Sequence, residues 1–427
     1  MGSTAPLTDT TGNDRSFYRF GGVALNSCSA LPPGNGQLPA YEYYPWDDPE
    51  FERDPHPWYT RAQAEVPVML DDTGAYVVSR YDDVMEFGLM PCMSVEPGWD
   101  AAGPWSIASS TIIGRDAPDH TRLRRQTNKW FAPKAVREWV STTKEVTSQI
   151  LDATEGGRLD GWRDLSVLPT HRTMCRVLQV DDNDAMEVMA EMADTMPMLS
   201  ARPRPGTWEK AAEGFDKLAQ RIDAMLDGRS ASSADGLTDA LLDAEREGTI
   251  SSEEMRATAL LLYSLGHMDV GYLIAAGLRV FAELPEVYAA FRKNEEFRDA
   301  IINEIVRMDP PELSFYRTTL EDVIIRGVNI PAGSRIRFMI SAANRDPEFF
   351  DQPHHFDYHR PQTHSKNLSF GLGPHTCAGQ GYARAQARTI FEEVAARFKS
   401  IELEVPFEMD NTDFSRHYTT LPLRLSN

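Results

Sequence analysis

Cys377 lies in the stretch Ser369-Phe370-Gly371-Leu372-Gly373-Pro374-His375-Thr376-Cys377-Ala378-Gly379-Gln380-Gly381-Tyr382-Ala383-Arg384. Gly371, Gly373 and Pro374 forbid a regular helix or strand ahead of the cysteine. Beyond it, Tyr382, Ala385, Thr389, Phe391, Val394 and Phe398 keep the spacing of an amphipathic helix. A thiol where an irregular loop enters a helix meets free backbone N–H groups and the positive end of the helix dipole, and both favour the thiolate. Such a thiolate can be a nucleophile or a metal ligand. No second cysteine stands at CxxC spacing, which argues against zinc or an iron–sulfur cluster. His375, on the same loop, is too close in sequence to approach the sulfur easily as a base. One thiolate without partner ligands fits a metal whose other ligands come from a cofactor, and haem is the obvious case. The plainer alternative is a small buried cysteine that begins a helix after a glycine turn.

Other side chains could do charge work. Glu304 and Arg307 fall one helical turn apart, which on a surface is an ion pair worth a few tenths of a kcal/mol. His120 and Arg124 share one helix face. Asp269 lies in Leu261-Leu262-Tyr263-Ser264-Leu265-Gly266-His267-Met268-Asp269-Val270-Gly271, and a buried aspartate must be paired or neutral.

These residues need elements to hold them. Residues 252 to about 282 are apolar on nearly every face, as in a core helix, and stop at Glu283-Leu284-Pro285. Helical periodicity runs from 120 to 230, broken over Met196–Thr207 by Pro197, Pro203 and Pro205. Val66–Leu70 and Ala75–Ser79 read as a hairpin, and residues 323–341 as strand, Pro331-Ala332-Gly333 turn and strand. Residues 88 to 115 form a long Gly-, Pro- and Ser-rich segment with Trp99 and Trp105, of the kind that is usually functional. Residues 1–40 read as a loose leader, and 41–427 as one large domain, mostly α with a smaller β part.

The chain has 427 residues, 41% of them hydrophobic, and a net charge of −21, which argues against nucleic acid as the main partner. Its four cysteines are scattered, as in a reduced cytoplasm. No basic segment followed by an apolar run begins it, so no secretion signal is expected. No apolar run reaches the roughly 18 residues of a membrane helix. The expectation is a cytoplasmic protein without a membrane partner.

The pattern F-G-x-G-x-H-x-C-x-G over 370–379 closely resembles the haem-binding loop of the cytochrome P-450 superfamily in its soluble bacterial form. The likeness extends from about residue 54 to the C-terminus. E-x-x-R at Glu304–Arg307, A-N-R-D-P at Ala343–Pro347 and F-D-x-x-R at Phe356–Arg360 follow the family's order. It implies the cytochrome P-450 fold and haem b with Cys377 as axial ligand, in a loop that includes Phe370, Gly371 and Gly379. Glu304, Arg307 and Arg360 would form a buried network holding that loop. His120, Arg124, Arg317 and His375 would meet the haem propionates. Arg122, Arg125, Lys129 and Lys134 would offer a docking patch to an acidic electron donor, a ferredoxin or flavodoxin-like protein served by an NAD(P)H reductase. Residues 88–115 would roof the substrate cavity, and the proline-rich break would lie over its mouth. Ile112, Ile113, Leu265, Phe315, Tyr316 and the His417-Tyr418-Thr419 segment would line it.

The apolar helix departs from the family. Gly266 is retained, but Met268 stands where the family has an acid and Asp269 where it has a threonine, the pair that manages proton delivery during oxygen activation. Asp269 would either be a bystander or, with a raised pKa, merge both roles. The implied activity is a haem–thiolate monooxygenase that uses O2 to hydroxylate, or oxidatively O-dealkylate, a small organic substrate. The altered relay keeps a peroxide-using enzyme, or an oxidase that couples or desaturates its substrate, as a second reading. A haem ligand sensor and a cysteine hydrolase are the readings from other classes.

Overall fold

The computed structural model describes residues 40–96, 104–182, 184–227, 236–361 and 366–427. The expected leader lies outside these, apart from its last residue, as do Cys28 and Trp99. The chain adopts the expected mostly-α architecture with a smaller β part.

The longest helix, Ser252–Glu283, spans 32 residues. It starts at a capping box in which the Ser251 hydroxyl accepts from the Glu254 N–H and the Glu254 carboxylate accepts from the Ser251 N–H. It ends where Pro285 opens the next helix. By length and composition it could cross a membrane, contrary to the sequence expectation that no run is long enough, but 78% of its apolar window is buried inside the protein. It is packed on by the helices Leu168–Leu178, Arg298–Met308 and Gln380–Arg397.

One contact sets how closely that bundle closes. A Cβ placed on Gly277 would stand 2.2 Å from the Phe391 ring, which is itself fully buried against Phe281 and Phe291. The ring has nowhere to go. Overpacking at so short an approach costs about 3 kcal/mol, against ~1 kcal/mol gained from helix propensity. Gly277→Ala is therefore expected to lose about 2 kcal/mol net, read as a lower urea midpoint.

The larger sheet has five strands, in the order Val68–Leu70, Tyr76–Val78, Arg335–Phe338, Phe315–Thr319, Met93–Ser94. The first two are the expected hairpin, with Val68 opposite Val78. Tyr76–Val78 runs parallel to Arg335–Phe338, and the other neighbours are antiparallel. Residues 323–341 hold one more turn than the sequence suggested. Val323–Ile325 pairs with Val328–Ile330 about a two-residue turn in which Arg326 and Gly327 both have positive φ, 47° and 81°. This sheet carries Phe315–Thr319 to the cavity described next, opposite the long helix.

Candidate active site

Gly371 and Gly373 take φ values of 71° and 60°, left-handed conformations that explain why glycine precedes the cysteine. The Cys377 N–H donates to the Phe370 carbonyl at 2.7 Å, closing the loop before the Gln380–Arg397 helix. The sulfur opens into an internal cavity of about 370 Å³ that Phe370, Gly371 and Gly379 also line. The Gly379 N–H donates to it and lowers the thiol pKa, but burial outweighs that bond and pushes it up to about 11. The helix start does not by itself hold a thiolate, as its position in the sequence suggested. A metal centre does, because a coordinated thiol is deprotonated outright.

A charge network stands behind the loop. Glu304 accepts from Arg307 Nε at 2.7 Å and Nη2 at 2.6 Å, from Arg360 Nε at 3.0 Å, and from the Asp357 N–H at 2.9 Å. Glu304 is 2% exposed and Arg307 0%. Arg307 Nη1 also donates to the carbonyls of Asn344 and Pro353. Asn344 continues the chain of bonds, accepting from the Leu368 N–H and donating to Ser369 Oγ, which donates to the Val306 carbonyl. The cysteine loop thus hangs directly from the helix bearing Glu304 and Arg307.

Arg124, Arg317 and His375 line the same cavity, and His120 packs on His375 with ring centroids 4.2 Å apart and the planes tilted by 38°. His120 Nε2 is buried without a hydrogen-bond partner. Arg124 Nε donates to Asn128, and Arg317 donates to the Tyr316 carbonyl, so neither guanidinium pairs with a carboxylate among the described residues. Burial lowers both pKa values, Arg317 to about 10. Two half-buried guanidiniums without a carboxylate partner, an orphaned imidazole behind His375 and a thiol on the same cavity fit an iron cofactor carrying anionic side chains, as haem does.

Across the cavity, Gly266, Leu265 and Asp269 face inward from the long helix. Burial alone raises the Asp269 carboxyl to about 7. Met268 does not join them. It is 3% exposed and packed in the helical core, outside the stripe of the helix, with Leu262, Leu265, Gly266, Asp269 and Leu273, that lines the cavity.

Ile112, Ile113, Phe315 and Tyr316 line the cavity as expected, and Leu199, from the proline-rich break, joins them. Tyr418 does not line it. It is 2% exposed and packs on Trp162, Tyr272 and Phe407, while Phe414, from the turn before its strand, reaches the wall instead. Arg122 is also not a free surface cation, being bound to Glu254 at 2.5 Å and Asp119 at 3.1 Å, which leaves Arg125, Lys129 and Lys134 exposed. Glu312 is the residue the sequence reading passed over. Next to Pro310-Pro311 it looks like an ordinary loop carboxylate, yet it lines the cavity.

The family model described as Cytochrome P450 matches residues 172–420. Among characterised relatives, the chain is 28% identical to a vitamin D(3) 25-hydroxylase of Pseudonocardia autotrophica, covering 83% of this chain and 89% of that one. It is 26% identical to a 20-oxo-5-O-mycaminosyltylactone 23-monooxygenase of Streptomyces fradiae, over 80% and 82% of the two chains. Of solved structures, P450BioI in complex with a hexadec-9Z-enoic acid ligated acyl carrier protein superposes with a TM-score of 0.82 at 21% identity, covering 88% of this chain and all of that one. Epothilone D-bound P450epoK gives 0.82 at 22% identity, over 90% and 98%.

Proposed function

The chain belongs to the cytochrome P450 family and is a haem-thiolate monooxygenase, and from that premise we propose how its own residues perform the reaction and on what. Cys377 would hold haem b through its thiolate, and His120, Arg124, Arg317 and His375 would receive the propionates. When bound, the haem supplies a redox-active iron that, with electrons from a donor protein, activates O2 for insertion into the substrate, the thiolate pushing electron density toward O–O cleavage. The observation carrying this reading is that one cavity joins the sole cavity-facing cysteine among the described residues to the unpaired cations and to Asp269.

The protein's own work is to bind, exclude water and move protons. Ile112, Ile113, Leu265, Phe315 and Tyr316 give an apolar wall that selects a small organic substrate and keeps solvent away from the reaction. Hydroxylation or oxidative O-dealkylation is the outcome. Asp269, protonated for much of the time near neutral pH, holds a proton on its carboxyl oxygen and releases it toward the oxygen being reduced. Arg125, Lys129 and Lys134 receive an acidic ferredoxin or flavodoxin-like donor, itself reduced by an NAD(P)H reductase, in the cytoplasm.

Turnover with NAD(P)H and redox partners, compared with turnover on hydrogen peroxide alone, tests this reading, and peroxide activity that rivals the reconstituted system would overturn it. Asp269→Asn should lower coupled product yield by about 10²-fold or more and raise peroxide leakage, with the substrate-induced spectral shift retained. Unchanged yield and leakage would make Asp269 a bystander.

A further inference from the structure

Two carboxyl groups face this cavity, from two different elements, and each feels the other's charge. Asp269 comes from the long helix, and Glu312 from the irregular segment between the Arg298–Met308 helix and the strand Phe315–Thr319. Neither has a hydrogen bond or ion pair to its side chain among the described residues. The backbone of Glu312 is fixed by a bridge to Ser415, so its placement is built into the sheet region rather than left to a free loop.

Among the described residues, none of the cations that share the cavity is paired with either carboxyl. Arg124 donates to Asn128, Arg317 donates to the Tyr316 carbonyl and lies over the Phe315 ring, and the Arg335 guanidinium lies 3.8 Å from the centre of the Tyr316 ring. His375 is held neutral by burial. Tyr316 and Tyr382, also on the cavity, are raised by burial and stay neutral, and both carboxylates act to raise the pKa of Cys377 rather than being neutralised by it. Two ionised carboxylates in one enclosed apolar space repel each other strongly, and the system relieves this by keeping a proton.

We propose that Asp269 and Glu312 form a two-carboxyl proton relay, with Glu312 the positioning partner that recharges Asp269. The proposal rests on the monooxygenase reading above. In each delivery an Asp269 O–H bond breaks toward the oxygen being reduced, a Glu312 O–H bond breaks to restore it, and solvent returns one proton to Glu312. The pair moves no electrons, which come from the donor protein. Burial raises Glu312 to about 8, with the Asp269 charge adding to it, so the pair carries protons in the neutral range, where ordinary carboxyls are bare.

The test uses the haem-loaded enzyme and its Asp269→Asn, Glu312→Gln and double variants, with infrared difference spectra recorded across the neutral range. Wild type should show two protonated carboxyl bands that titrate there, and each single variant should lose one band and shift the titration of the other to lower pH. Either single variant should raise the ratio of leaked peroxide to product about tenfold or more, and the double variant should be no worse than the singles, because the two groups act as one unit. Glu312→Gln should also move the alkaline limb of the coupling profile to lower pH, which a merely structural role would not do. An Asp269 band whose titration is unmoved in Glu312→Gln, or additive losses in the double variant, overturns the relay. Failure of the wild type to give a thiolate-type carbon monoxide spectrum overturns the monooxygenase reading instead.

Discussion

Cys377→Ala is expected to abolish the thiolate-type spectrum of the reduced, carbon monoxide-bound protein and to take product formation to background. Cys377 presents the loop's thiol to the cavity, whereas the bond that shapes the loop is the Cys377 N–H to the Phe370 carbonyl, which alanine keeps. Removing the sulfur should therefore remove the ligand without unfolding the loop. Among the described residues, no neighbouring cysteine can substitute. Cys92 packs in the sheet-side core, and Cys175 lies against His171, whose Nε2 is 3.3 Å from its sulfur. Loss of a residue that merely supports a metal ligand commonly costs roughly 10–100-fold in activity or metal affinity, so loss of the ligand itself should exceed about a hundredfold. Near-ultraviolet circular dichroism would separate this from misfolding. A thiolate-type spectrum that persists in a folded Cys377→Ala protein would place the ligand elsewhere.

How far the sequence carried the reading depended on the kind of constraint each residue answers to. The cysteine loop was legible because Gly371 and Gly373 adopt the positive φ angles that their type suggests. The Glu304–Arg307 pair was legible because three residues on a helix set the geometry whatever surrounds them. The cation wall was found from four scattered positions only through the family's pattern, since nothing local brings His120 to His375. Where the reading failed, helix or strand phase decided. Met268 and Asp269 both receive cavity roles from the sequence, yet only Asp269 falls on the stripe of the helix, with Leu265 and Gly266, that lines the cavity. Arg122 and Arg124 are two apart and so point nearly opposite ways, one to Glu254 and one to the cavity. Tyr418 fell to the inner side of its strand. Glu312 had no periodicity to announce it, because its position comes from a long-range bridge to Ser415. Long-range closure of this kind leaves no local signal.

Glu304→Ala is expected to be the most destabilising single change among the charged residues, by about 3–5 kcal/mol. Its carboxylate accepts four hydrogen bonds, and without it Arg307 would be a guanidinium with no solvent access and no counter-ion. That is a large part of the roughly 5–15 kcal/mol by which native domains are stable. Glu304→Gln should recover little, because an amide presents one acceptor oxygen and turns an N–H₂ toward the arginine donors. Replacing both partners of a buried pair with apolar residues is often nearly neutral, but that route is closed here. Arg307 also donates to the carbonyls of Asn344, Pro353 and His355, and Arg360 to those of Asp351, Gln352 and His355. A Glu304→Ala/Arg307→Leu double variant should thus lose less than the sum of the single changes and still remain well below wild type. Urea unfolding gives the stabilities, and haem retention during the titration gives the functional consequence. Because Asn344 links this network to Leu368 and Ser369, haem should be lost at lower urea than global unfolding requires. Coincident loss of haem and fold in Glu304→Ala would mean that the network stabilises the whole domain and has no particular hold on the loop of Cys377.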